Sequence, residues 1–562
     1  MQEITDRLKK VIHDLYGLDF TPEVTPSPAN IDADYSTNAP LKLAKDLHKN
    51  PIAIAEELNQ NLDAKITPPG FLNFTLSDAY LESQISNLSA NFADNISSDA
   101  YKNKTIICEF SDPNPFKVLH VGHLYTSVVG DSISRLYEYA GAKVIRANFG
   151  GDVGLHVAKT MYILQQKNSA HLTIEDIAKC YVEGTAAYED DEQAKQEITR
   201  LNKEIYHINA DKLHDTKISD LYWQGRELSY EYFRNFYDSI GVKFDKFYPE
   251  STVADLGLAK VKEQLANGVY EMSNGAVIFN GDKYGLHTRV FINQEGVPTY
   301  ETKDVGLIFT KWDDYHFDKS VVITGSEQLE YMKVVLKSVE QYAPELTERT
   351  THLTHGLVKL PGNVKMSSRK GNFLKAVDVL GMVKTALKDE YDSEDPVVYL
   401  AATKYAFLKY KMGGNIIFDP KESVKMTGNS GPYLLYSAVR AKKILQKAGV
   451  AENAFFKDNC RLASSETYIP DGPDRTSASY ERNLAKKLLE YKSTLQESVS
   501  EMAPHRLANF LYELAQEFSR FYEHCPVAGS DRELERKKLV QVYLDTMTHG
   551  LDILGIRIPE SM

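Results

Sequence analysis

The chain has 562 residues, 43% hydrophobic and 25% charged, with four cysteines and a net charge of −13. That length holds roughly two to four ordinary domains, and the acidity argues against broad, sequence-blind binding to nucleic acid. Cys108, Cys180, Cys460 and Cys525 lie far apart with no CxxC pair, which speaks against a disulfide framework or a structural zinc. No apolar run suits a membrane span and the start, MQEITDRLKK, lacks a signal peptide's apolar core, so a cytoplasmic protein is expected.

Residues 1–95 are expected to form a small α+β unit. EITDRLKKVIHDLY has the spacing of an amphipathic helix, another helix is expected near 40–60, and FLNFTL suits a short strand. The polar NFADNISSDAYKNK marks a junction. KTIICEF then has the β-branched apolar character of a buried strand, which SDPNP breaks. Val121, Leu124, Val128, Ile133 and Leu136 fall at helical spacing, Gly141 supplies a stop, and KVIRANFGG returns to strand. Such a strand–loop–helix–strand unit holds its ligand at the loop and helix start after the first strand.

Residues 155–240 are helical and charged, in the manner of an insertion, and strand-like runs reappear at GAVIF, SVVITG and HLTHGLVKL. From 421 onward nearly everything is helical, with helices expected over 433–448, 476–502, 504–523 and 531–554. This C-terminal part is near neutral, so the acidity sits upstream. The expected fold is α/β: a Rossmann-type parallel-sheet domain over 100–420, with a helical insertion around 155–240. An N-terminal α+β domain (1–95) precedes it and a C-terminal all-helical bundle (421–562) follows.

Two stretches carry chemistry. PNPFKVLHVGHL, 113–124, sets His120, Gly122 and His123 at a helix N-terminus, where orphan N–H groups and the dipole favour an anion. Two imidazoles on one face add N–H donors for phosphate, and a glycine lets a nucleoside approach the backbone. Alone, the tetrad is equally two histidines on a helix surface. KLPGNVKMSSRKGNF, 359–373, places Lys365, Arg369 and Lys370 in a small-residue loop that can close over a polyphosphate; alone, a solvated basic loop is the usual reading, and the stretch gains weight only from its partner motif.

HVGH after a strand with KMSSRKG far downstream resembles the paired signatures of class I aminoacyl-tRNA synthetases. EFSDPNPFKVLHVGHLYTSVVGD, RANFGGDVGLHVAK, GVPTYETKDVGL, NSGPYLLYSAVRAKKIL and the ending GLDILGIRIPESM resemble the arginyl-tRNA synthetases in particular. DYSTNAPLKLAK and PPGFLNF resemble that family's extra N-terminal domain. The resemblance implies activation of L-arginine by ATP to arginyl-adenylate, then transfer to the 3′ end of tRNA(Arg). It implies Mg2+ with the ATP substrate and a cytoplasmic, membrane-free enzyme; a monomer is expected.

By the same resemblance His120, Gly122, His123, Lys365, Met366 and Ser367 would bind ATP. Ser368 stands where the general class pattern has its second lysine, and Lys117 occupies the place thought to compensate, with Lys370 a secondary candidate. The amino-acid pocket would be Glu109, Asn114, Tyr300, Asp304 and Gln328, a set that suits a five-donor guanidinium and an α-ammonium group. Taken singly, Asp304 could instead pair with Lys303 or cap a helix, and Glu109 could face solvent. Asp152 is a further pocket candidate. Phe71 and Asn73 match an aromatic-x-Asn pair that contacts a tRNA base in some members; equally, Phe71 and Phe74 could be core residues of a small sheet. Tyr433 and Arg440 lie on a helix that faces tRNA in the family.

Several positions depart from the family pattern: Val118, Val153, His156, and Tyr331 in place of a histidine three after Gln328. The competing readings are a synthetase for another amino acid such as lysine, a catalytically silent tRNA-binding paralogue, and a small nucleotidyltransferase. Intact His123 and Lys365 speak against silence, and a nucleotidyltransferase has no use for the two flanking domains.

Overall fold

The computed structural model describes residues 2–28, 31, 33–167, 172–362, 374–447, 449 and 475–562. The loop with Lys365, Met366, Ser367 and Lys370 lies outside the described residues. Among the described residues no helix is long and apolar enough to cross a membrane. The chain forms two compact units, 1–95 with 444–492 and 517–543, and 96–443 with 493–516 and 544–562.

In the first unit, α1 (Gln2–Tyr16) buries Leu8 and Ile12, one turn apart, as its periodicity demands. The strands β1 (Val24–Pro26), β2 (Tyr35–Thr37), β3 (Lys65–Thr67) and β4 (Phe71–Phe74) form an antiparallel sheet in the order β1-β2-β4-β3. The single helix expected near 40–60 is two, α2 (Ala39–Leu47) and α3 (Pro51–Asn59). Pro51 cannot continue a helix but suits the first position of one, and Asn50 caps α3 by accepting from the Ile52 N–H at 2.8 Å. The helices α4 (Asp78–Ala90) and α5 (Phe92–Ile96) follow. Asp34 receives Lys486 at 2.8 Å, the Arg482 guanidinium and the Leu76 N–H at 2.7 Å. These cationic and amide donors hold its carboxyl below the usual range despite burial.

The second unit is organised by β5 (Thr105–Glu109), α6 (Val121–Tyr139), β6 (Lys143–Gly150) and a helical excursion, α7 (Leu155–Leu164), α8 (Ile174–Asp190), α9 (Glu192–Ala210) and α10 (Lys217–Ile240). Then come β7 (Lys246–Pro249), α11 (Glu250–Ala266), and the small antiparallel sheet of β8 (Glu271–Ser273), β9 (Ala276–Phe279) and β10 (Arg289–Ile292). After them run α12 (Tyr300–Tyr315), β11 (Lys319–Gly325), α13 (Leu329–Glu340) and β12 (Thr350–His355).

The main sheet has the order β12-β11-β5-β6-β7 with every pair parallel. Ile106, Ile107 and Cys108 of β5 are fully buried, as a central strand covered on both faces requires. The chain leaves β5 to build β6 and β7 on one side and returns to add β11 and β12 on the other. The crevice at this reversal opens beyond the carboxyl end of β5, where α6 begins.

Two glycines set the crossing of α11 and α12. A Cβ on Gly257 would lie 2.0 Å from the Thr302 carbonyl, and one on Gly306 would lie 2.1 Å from that of Val253. The backbones therefore touch, and the start of α11 is fixed against α12. Gly306→Ala should destabilise this unit by about 3 kcal/mol, because rigid backbone rather than a side chain must move. Urea unfolding checks it, and a variant as stable as the parent would contradict the packing described.

Candidate active site

The loop from Phe110 to His120 leaves β5 in a constrained conformation. Ser111, Asp112 and Phe116 all have positive φ (73°, 50° and 65°), the left-handed region that non-glycine residues avoid. Burial holds it: Phe116 stacks on Tyr222 of α10 at 5.9 Å, and its N–H donates to Ser229 Oγ at 3.0 Å.

His120 is the N-cap of α6. Its Nδ1 accepts from the Gly122 N–H at 3.1 Å, while His123 Nδ1 accepts from the His120 N–H at 3.0 Å. This is a capping box made from imidazoles, and it fixes both tautomers, because a ring accepting at Nδ1 carries its proton on Nε2. Burial, reinforced by neighbouring positive groups, pushes His120 down to about 4 and His123 also far down. At neutral pH both are therefore uncharged donors with stacked rings 3.8 Å apart. At Gly122 a Cβ would sit 2.8 Å from His120 Cε1, so the cap itself leaves no room for a side chain there.

A cavity of about 110 Å³ is lined by Asn114, Lys117, His120, His123 and, from α8, Tyr181. Lys117 Nζ sits 4.7 Å from the Tyr181 ring centre, so the cation beside the histidines rests on an aromatic face supplied by the helical excursion. Sequence reading gave that excursion no part in the site. The strand pairing also ties in the second signature. Val121 donates to the Leu374 carbonyl at 2.8 Å and Ala376 to that of Leu119 at 2.9 Å, so the residues that follow the KMSSRKG loop are bonded to the start of α6.

Behind this cavity lies a cluster of acids. Glu109, at the end of β5, is buried and accepts from Lys311 Nζ at 2.7 Å; it does not face solvent. Glu250, the first residue of α11, accepts from Lys303 at 2.6 Å, with both side chains buried. Lys303 thus pairs with Glu250 and not with its sequence neighbour Asp304. Asp304 accepts instead from the Tyr331 phenol, and Asp112 accepts from the Phe149 N–H at 2.8 Å. Burial, with Glu109 nearby, pushes Asp112 well above the usual carboxylate range. Burial, outweighing the Tyr331 bond, pushes Asp304 up to about 8, with Glu109 and Glu250 adding to the effect. Among the described residues four carboxyl groups thus share two lysines, and the two that bond to no lysine are shifted toward their protonated forms.

Asn114 links the cavity to the cluster. Its Oδ1 accepts from the Gly151 N–H at 2.7 Å, and a Cβ on Gly151 would lie 2.8 Å from that oxygen and 3.0 Å from Glu250 Oε1. Tyr300, at the first position of α12, is 55% exposed with Lys303 Nζ 5.2 Å from its ring. Gln328 is exposed in the short turn after β11, and its side chain has no hydrogen-bond partner among the described residues. Asp152 is not free to line the pocket, because Arg226, Ser251 and Asn209 occupy its carboxylate. Glu250 and Asp112 escaped sequence reading; only their positions at strand ends could have flagged them.

Of the expected RNA contacts, Asn73 is buried and spends its carboxamide inside the sheet, accepting from Ser36 at 2.7 Å and donating to Lys65 O and Thr67 Oγ1 at 3.0 Å. It staples β2, β3 and β4, so only half-buried Phe71 of that pair offers a face to a base. Tyr433, in the helix Gly431–Lys447, meets Tyr512 edge-on and reaches the Ala515 carbonyl, which is a packing role. Arg440 lies over exposed Tyr436, its guanidinium 4.6 Å from the ring. Among the described residues no group of three or more His, Cys, Asp or Glu could hold a metal.

A parallel sheet whose reversal point carries an HxGH cap at the start of the following helix is the arrangement of a class I aminoacyl-tRNA synthetase catalytic domain, and the flanking domains and family match separate it from a small nucleotidyltransferase. Residues 84–402 match the family described as tRNA synthetases class I (R), catalytic domain, residues 2–76 the arginyl tRNA synthetase N terminal domain, and residues 434–562 the DALR anticodon binding domain. The chain belongs to the arginyl family of class I tRNA synthetases. It is 27% identical to an arginine–tRNA ligase of Fusobacterium nucleatum, covering 100% of this chain and 99% of that one, and 28% identical to one of Thermobifida fusca over 97% and 96%. In fold it matches the arginyl-tRNA synthetases of Thermus thermophilus (TM-score 0.76, 23% identity, 100% of both chains) and Plasmodium falciparum (0.76, 19%, 100% and 99%).

The buried pairs make a stability prediction. Lys311→Met should destabilise the second unit by about 3–5 kcal/mol by stranding Glu109 in the interior, and adding Glu109→Gln should restore part of the loss. Urea unfolding of both variants measures this. A tolerated single substitution would mean that water reaches Glu109.

Proposed function

We infer that the chain is an arginine–tRNA ligase, which joins L-arginine and ATP into arginyl-adenylate and transfers the arginyl group to tRNA(Arg). The observation that carries this reading is the surplus of buried carboxylates over lysines beside a cavity walled by paired imidazoles. Removing charge from water is costly unless it is matched, and the described residues bring only two lysines to the cluster, so it suits a cationic substrate. A guanidinium, with five donors in a plane, meets several carboxylates at once. Asp304, which bonds to no described lysine, would receive it, with Glu109 and Glu250 adding negative potential from their lysine pairs, and Asn114, Tyr300 and Gln328 would serve the rest of the amino acid.

His120 and His123, as neutral Nε2–H donors, would hold ATP phosphates without adding charge, and Lys117 would supply the cation at the phosphorus under attack. Lys365, Met366, Ser367 and Lys370 would close over the nucleotide. Mg2+ would accompany the ATP, keeping phosphate and water ligands. We read residues 1–95 and 421–562 as the tRNA-binding parts flanking the domain over 100–420, with Phe71 and the Tyr436–Arg440 pair as contact points, and the protein as a cytoplasmic monomer.

Amino-acid-dependent ATP–pyrophosphate exchange, run with each of the twenty amino acids with and without tRNA, tests the reading. Arginine alone should drive exchange; exchange driven by lysine or glutamate would overturn it, and none with any amino acid would indicate a silent paralogue. Lys117→Ala should slow arginine-driven exchange by about 100-fold, the scale set by losing one transition-state donor, while leaving tRNA affinity unchanged. Loss of both together would make Lys117 structural.

A further inference from the structure

We propose that Tyr331 is a positioning residue for arginine selection, holding Asp304 in the one orientation and without the one partner that would spoil it. The proposal rests on the arginine–tRNA ligase reading and extends it to a residue outside the expected pocket. Tyr331 lies in the first turn of α13 and donates its phenol hydrogen to Asp304 Oδ2. Its ring is in turn held by Arg289 of β10, whose guanidinium lies 5.2 Å from the ring centre and bonds to Glu301 at 3.2 Å. Arg289 Nε is buried with no hydrogen-bond partner among the described residues, so stacking on Tyr331 is a main part of what holds that face of the guanidinium.

The choice of a phenol has a physical consequence. Glu109 and Glu250 are each matched by a lysine at 2.7 and 2.6 Å. Asp304 is matched by a neutral donor. A phenol fixes the plane of the carboxyl group and favours its ionised form, yet brings no positive charge of its own. A lysine in that place would fill the seat from inside the protein, and a phenylalanine would let the carboxylate rotate and keep its proton. Tyr331 therefore leaves Asp304 ordered but hungry for a cation, which is the state that rewards a bidentate guanidinium over a neutral side chain.

The groups that face Asp304 set the direction of its pH dependence. Burial, Glu109 at the end of β5 and Glu250 at the start of α11 raise its proton affinity, and Asp304 in turn raises that of Asp112. Lys311 on α12 and Tyr331 on α13 lower it, and Arg289, Glu301 and Lys303 stand in the surrounding shell. Loss of the phenol removes one of the two opposing influences, so Asp304 should release its proton at higher pH.

The test is the arginine KM in tRNA-supported ATP–pyrophosphate exchange between pH 6 and 9.5, for the parent, Tyr331→Phe, Asp304→Asn and the double variant. Tyr331→Phe keeps the ring under Arg289, and KM does not depend on what fraction of the enzyme is folded. In the parent, the KM should fall as pH rises toward about 8 and then level off. Tyr331→Phe should raise it about ten-fold at pH 7.5, the scale of one hydrogen bond to a charged group, and displace the fall to higher pH. The ATP KM should stay within about two-fold, and in the Asp304→Asn background Tyr331→Phe should have no further effect, since the two act through one group. An unchanged arginine KM, an unshifted profile, or additive effects of the two substitutions would overturn the proposal. Absence of arginine-driven exchange in the parent would instead overturn the ligase reading itself.

Discussion

Lys311 and Glu109 meet 2.7 Å apart with side chains only 1% and 3% exposed, at the carboxyl end of the central strand. Each ion loses several kcal/mol of hydration on burial, and the pair recovers this only if its geometry is kept. Ser320 Oγ, 3.1 Å from Lys311 Nζ, helps to keep it. The same demand repeats at Lys303 and Glu250, which join α12 to the start of α11. The acid cluster of the larger unit is arranged around these two matched pairs and the two carboxyl groups, Asp112 and Asp304, that bond to no described lysine. The backbone contact at Gly257 and Gly306 serves the same end, because it is what allows α11 and α12 to bring Glu250 and Lys303 together.

The phosphate side follows a different electrostatic logic. The histidines cap their own helix through Nδ1 and are uncharged, so they offer direction and leave the charge to Lys117. Separating direction from charge suits a site that must first hold a highly charged nucleotide and then release pyrophosphate. It also divides the described part of the crevice: a neutral donor wall with Lys117 on one side, an acid-rich cluster on the other, and Asn114 and Gly151 between them.

Much of the fold was legible from residues 105–150, where a β-branched strand, a breaking loop, a helix of regular apolar spacing and a second strand follow one another with sharp boundaries. The helical C-terminal region was legible for the same reason. The split between α2 and α3 was not drawn, although Asn50–Pro51 contains its cause. In the site, His120 and His123 were legible because their role is local, set by the first turn of one helix. Glu250 and the Lys303 pairing were not, because they arise from a contact between residues 53 positions apart that only the helix crossing creates. Adjacent Lys303 and Asp304 point to different sides of α12, as successive helical residues must, so the pairing suggested by their proximity in sequence fails. Asn73 misled in the opposite sense: its residue type suits base recognition, and only its cross-strand bonds show that the sheet uses it up.

The central claim is that the pocket stores unmatched carboxylates for a cationic substrate. Calorimetric titration of L-arginine into the enzyme with tRNA near pH 7, in two buffers of different ionisation heat, measures the protons displaced. With Asp304 poised at about 8, arginine should bind with net proton release. Citrulline, neutral and of nearly the same shape, should release none and bind about 100-fold or more weakly, the cost of leaving a buried carboxylate unpaired. Arginine binding without proton release, or citrulline binding as tightly as arginine, would contradict the account.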